Sequence, residues 1–115
     1  MKRPLAVTII SWVFIVAGTV GFLYHMQEFP AGNPFADDTG WILLIRILAV
    51  VSGILTLRGS NAGRWLLVAW MAYHVALSYF HTLSELMMHA ILLAAVTYGL
   101  FRPKSNAFFK SVQSA

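Results

Sequence analysis

Six side chains carry chemistry that an otherwise apolar sequence does not need: His25, Arg46, His74, His81, Glu85 and His89. His74 and His81 are seven residues apart, and Glu85 and His89 are four apart, so each pair shares one face of its helix. The segments that carry them are joined by a tight turn. Their faces can therefore meet, in a His74, His81, Glu85 and His89 constellation. Counted inward from Trp41, His81 and Leu83, the residues Arg46, His74 and His89 fall roughly 8 to 11 Å below one membrane boundary, at ~1.5 Å per residue. His25, His81 and Glu85 form a second tier at the rim.

Three ligand chemistries suit such a set. His74 and His89, at equal depth on neighbouring helices, match the axial ligands of haem b, with Arg46 pairing a propionate. His74, His81, Glu85 and His89 match imidazole and carboxylate ligation of a divalent transition metal. A single His could instead hold a chlorophyll-like pigment, or line a quinone or proton path, within a respiratory or photosynthetic complex. Met87 and Met88 beside His89 are weaker candidates as copper thioethers, since unbranched methionines commonly fill gaps or face lipid. A structural reading competes with all of these. In it, His25 and His81 are interface residues, His74 and His89 hydrogen-bond to each other or to backbone, and Arg46 faces inward to pair with Glu85.

The elements that must position these residues are long apolar runs. Of 115 residues, 59% are hydrophobic and 10% charged, with a mean hydropathy of +0.74, whereas a water-soluble domain carries roughly 25% charged residues. Spans are expected at 4–24, 41–57, 65–80 and 83–101, each near the ~17 to 25 residues that cross a hydrocarbon core. A polar loop over 25–40, with Glu28, Asp37 and Asp38, separates the first two spans. A tail over 102–115 follows the last, and Phe108, Phe109 and Lys110 are expected to rest at the headgroup level. Lys2, Arg3, Arg58, Arg64, Arg102, Lys104 and Lys110 all fall on one side of this segmentation, and Glu28, Asp37, Asp38 and Glu85 on the other. Only Arg46 breaks the partition. Both termini are thus predicted to be cytoplasmic.

Small residues at Ala17 and Gly21, Ala49 and Gly53, Ala72 and Ala76, and Ala90 and Ala94 mark expected helix contacts. Trp41, Trp65, Tyr24 and Tyr79 lie near span ends, as aromatic belts do. The absence of cysteine excludes disulfides, thiolate metal sites and iron–sulfur clusters. The pI near 9.9 reflects topology-setting charges, and nucleic acid is not an expected partner.

Arg3-Pro4-Leu5, Leu57-Arg58-Gly59-Ser60-Asn61 with Arg64-Trp65-Leu66, Ala72-Tyr73-His74 through Phe80-His81, and Phe101-Arg102-Pro103 give the chain its likeness to known sequences. It resembles small uncharacterised four-helix bacterial membrane proteins over most of its length. That resemblance implies the topology and no activity.

No phosphate-binding Gly-rich loop, nucleophile elbow or His-Glu-x-x-His run is present. Inverted repeats of the kind alternating-access transporters use are also absent. The expectation is an all-α, integral membrane four-helix bundle of the bacterial inner membrane. It reads as a single transmembrane domain and a non-enzymatic accessory or structural subunit. Its partners would be the lipid bilayer and other membrane subunits, or copies of itself.

Overall fold

The computed structural model describes residues 2–26 and 39–114, with side chains for 2–24 and 40–113. The acidic loop with Glu28, Asp37 and Asp38, and the His25 side chain, lie outside the described residues. Five helices and no strand occur among the described residues: α1 (Leu5–Met26), α2 (Thr39–Leu57), α3 (Asn61–Ser78), α4 (Leu83–Phe101) and α5 (Pro103–Ser114). Three of these are long and apolar enough to cross a membrane: α1, α2 and α4. The helix expected to form the remaining span, α3, is not among them. Asn61, Arg64, His74 and two tryptophans lower its hydropathy.

Successive helices run antiparallel. A Cβ on Gly53 of α2 would lie 2.8 Å from the Ser11 carbonyl oxygen and from Ile15 of α1. Such close backbone approach is how helices associate in lipid, where apolar burial supplies no drive. Of the small residues expected at contacts, Ala49 is buried in the core, Gly53 lies against α1 and Gly21 against Arg46 of α2, while Ala17 is exposed. Ala72, Ala76, Ala90 and Ala94 are exposed, so those pairs do not form the contact faces of α3 and α4. These two helices meet instead through larger side chains, among them Trp65 against Phe101, with ring centroids 4.9 Å apart.

Helix ends explain the boundaries. Ser60 caps α3 by accepting a hydrogen bond from the Gly63 amide, and Thr82 caps α4 by accepting one from the Glu85 amide at 3.1 Å. Gly59 turns between α2 and α3 with φ +85, a left-handed conformation that side-chain-bearing residues rarely adopt. At the opposite end of each helix the last carbonyls need donors. Arg3 Nη1 donates to the Leu57 carbonyl at 2.7 Å, and Arg64 Nη1 donates to the Leu100 carbonyl at 3.0 Å. Cations there also meet the negative end of the helix dipole.

The tail's phenylalanines are turned toward protein rather than outward. The tail forms α5, whose Phe108 and Phe109 are buried in the main core cluster with Val7, Leu67 and Leu100. Ser105 Oγ donates to the Gly99 carbonyl at 2.5 Å, and Arg64 lies over both the Phe101 and Phe109 rings. Residues that looked like an interfacial anchor in sequence are the lid of the core, because the α4–α5 bend at Arg102-Pro103 folds them back onto it.

Candidate functional site

An aromatic and imidazole layer crosses the helices in the half that carries the expected site. Phe14 of α1 meets Trp70 of α3 edge-on, with centroids 5.3 Å apart. Trp70 stacks on His74 at 3.8 Å and 26°. His74 and His89 of α4 follow at 6.0 Å. The second helix joins through hydrogen bonds, as Trp70 Nε1 donates to the Ile45 carbonyl at 2.8 Å and Trp41 Nε1 donates to the Tyr73 hydroxyl at 3.0 Å.

Each described imidazole is oriented by its own helix. Nδ1 of His74, His81 and His89 lies 3.0, 2.9 and 3.0 Å from the carbonyl oxygens of Trp70, Leu77 and Glu85. A carbonyl can only accept, so in all three Nδ1 carries the proton. In the neutral form of each ring Nε2 is then an acceptor. Ser78 links two of the rings: its hydroxyl donates to the His74 carbonyl at 2.8 Å and accepts from His89 Nδ1 at 2.6 Å. Sequence reasoning did not single out Ser78 or Trp70. The signal was present for Ser78, which sits one turn after His74, where a buried hydroxyl needs a partner.

Replacing Ser78 with alanine is expected to cost about 1 kcal/mol, the scale of an inter-helix hydrogen bond in a membrane. His89 keeps its bond to the Glu85 carbonyl in that variant. The midpoint of unfolding in mixed detergent–SDS micelles measures the loss; a midpoint unchanged from the wild type would show that the His89–Ser78 bond does not hold α4 to α3.

Arg46 lies inside the helix assembly, as expected, with its Cδ and Nε each 2.9 Å from where a Gly21 Cβ would stand. Its expected ion pair with Glu85 does not form. Glu85 is retained at the rim by the helix cap at Thr82 and lies 3.9 Å from His81 Nδ1, with both side chains about half exposed. A pair so open to solvent contributes little. Arg46 instead lines one cavity with His74 and another with His89.

The rings do not converge on one space. His89 and Arg46 line a cavity of about 190 Å³ with Val13, Phe14, Trp70 and Leu92, where α1 faces α2, α3 and α4. His74 and Arg46 line a second, of about 110 Å³, between α2 and α3. Axial haem ligands must face each other across one plate-sized gap, and direct contact of α3 and α4 at the buried Ser78 leaves none. The His74–His89 arrangement therefore does not fit haem b. Among the described residues no group of three or more His, Cys, Asp or Glu side chains is disposed to hold a metal ion. His81 and Glu85 stand at the rim, apart from the deeper layer.

No known protein family, curated protein or solved structure matches this chain.

Proposed function

We propose that the chain is a four-span protein of the bacterial inner membrane with both termini in the cytoplasm. On this reading it is a non-enzymatic accessory or structural subunit that works by packing against other membrane subunits or its own copies. The observation that supports it is the apolar exterior. Trp12, Val16 and Val20 of α1, Trp41 and Leu44 of α2, and Met87, Ile91 and Tyr98 of α4 are all exposed, a surface that water would drive into association. Only 17% of the apolar stretch of α4 is buried. That helix offers most of its circumference to lipid or to a partner.

Sidedness follows from where the cations gather. Arg3 meets the end of α2 and Arg64 the end of α4, so the start of α1, the α2–α3 turn and the α4–α5 bend share one end of the assembly, with Lys2, Arg58, Arg102 and Lys104 in or beside these segments. A reporter fused after Ala115 is expected to be active only in the cytoplasm, and one inserted near Asn33 only outside. The opposite sidedness of either overturns the topology. The subunit role predicts that the chain migrates in native gels of mildly solubilised membranes above the size of a single copy. Migration as a lone copy under those conditions would remove that role and leave the topology intact.

A further inference from the structure

A cleft along α1 has two arms of different chemistry. One is the cavity of about 190 Å³ that holds Arg46 and His89. The other, of about 230 Å³, is lined almost entirely by carbon, including Ile9, Ile10, Ala95 and Val96. The two share Val13, Phe14, Met71 and Leu92, so they adjoin. Val13, Ile9 and Leu92 are also exposed at the outer surface, which opens the cleft sideways, toward where lipid would be. Gly99 against Ile10 and Ala6 closes it at the cationic end.

We propose that this cleft binds one neutral amphiphile of the quinol class, ring in the polar arm and the start of its isoprenoid chain in the apolar arm. The proposal names the ligand for the site described above and rests on the chain being membrane-embedded. The polar arm presents a donor and an acceptor. Arg46 can only donate, and His89, with Nδ1 committed to the Glu85 carbonyl and Ser78, keeps an accepting Nε2. A hydroquinone satisfies both, because its hydroxyl oxygen accepts from Arg46 while a hydroxyl proton goes to Nε2. A phosphodiester only accepts, as an oxidised quinone does. It would also have to leave the interface and bring its charge to the depth of Arg46, about 8 Å down, against the cost of dehydrating an ion. The walls favour a planar ring, since Phe14 and Trp70 flank the polar arm.

The test uses the full chain, purified and reconstituted in quinone-free phosphatidylcholine nanodiscs, with decylubiquinol, kept reduced, as the probe. Saturable quenching of tryptophan emission is expected, because Trp70 lines the polar arm. Arg46→Gln should raise the apparent Kd about tenfold, the effect of one lost charged hydrogen bond. Ala95→Phe fills the apolar arm without touching the polar one and should abolish saturation. Non-saturable quenching that both variants leave unchanged would be simple partition into lipid and overturns the proposal. Displacement of the probe by dioleoylphosphatidylglycerol at equal mole fraction also overturns it, in favour of an anionic phospholipid. Both variants are first checked with the two topology reporters, so a chain that fails to insert is distinguished from one that inserts and does not bind.

Discussion

Gly63→Ala is expected to cost about 3 kcal/mol, the upper part of the range for overpacking a close contact. A Cβ at Gly63 would stand 2.5 Å from Leu55 Cβ and 2.8 Å from both the Leu55 carbonyl carbon and the Thr56 amide nitrogen. Two of those three atoms are backbone of α2. They cannot rotate away, so α3 must move off α2, and the Trp70 bond to the Ile45 carbonyl and the Trp41 bond to Tyr73 lengthen with it. The unfolding midpoint in SDS titration should fall steeply for Gly63→Ala and stay in place for Ala62→Ser, at the exposed neighbouring position. Equal midpoints for the two variants would show that α2 and α3 are not packed backbone to backbone.

Phe109→Ala is expected to cost about 3 kcal/mol, as deletions of buried aromatic rings do. Phe109 is fully buried, and removing its ring also strips one face of the Arg64 guanidinium, 4.6 Å above it. Freed from the core, α5 should be cut quickly by trypsin at Lys104 or Lys110, whereas the wild type should resist. An interfacial phenylalanine resting among headgroups would give neither effect. The comparison therefore decides between the buried position and the surface position read from sequence.

The long apolar helices were legible because unbroken hydropathy is a strong and local signal. The expected span 83–101 coincides with α4, and 41–57 differs from α2 only at its start. The third segment was expected at 65–80 and occupies Asn61–Ser78. Hydropathy does not register its polar first turn, although Ser60 followed three residues later by Gly63 forms a cap. In α5 the two phenylalanines sit among Lys104, Asn106 and Lys110, and the composition of a short amphipathic tail does not say whether its apolar side meets lipid or protein. The shared level of Arg46, His74 and His89 along the helices followed from counting residues. Their directions did not, because His74 and His89 open on different cavities according to a rotation about each helix axis that spacing alone leaves free. Glu85 was assigned to the cluster for its charge, and its backbone amide turned out to govern its place, through the cap at Thr82.

Arg3 and Arg64 have a consequence for how orientation is engineered. On the proposed topology they count among the charges that hold the cytoplasmic ends back during insertion. In the finished fold the same two guanidiniums close off the ends of α2 and α4. An inverted chain made by neutralising them would lose two helix terminators along with two retention charges, and poor yield would be misread as failed inversion. Arg58, which is exposed, and Lys104, likewise exposed, make no such contact, so orientation is better reprogrammed through them.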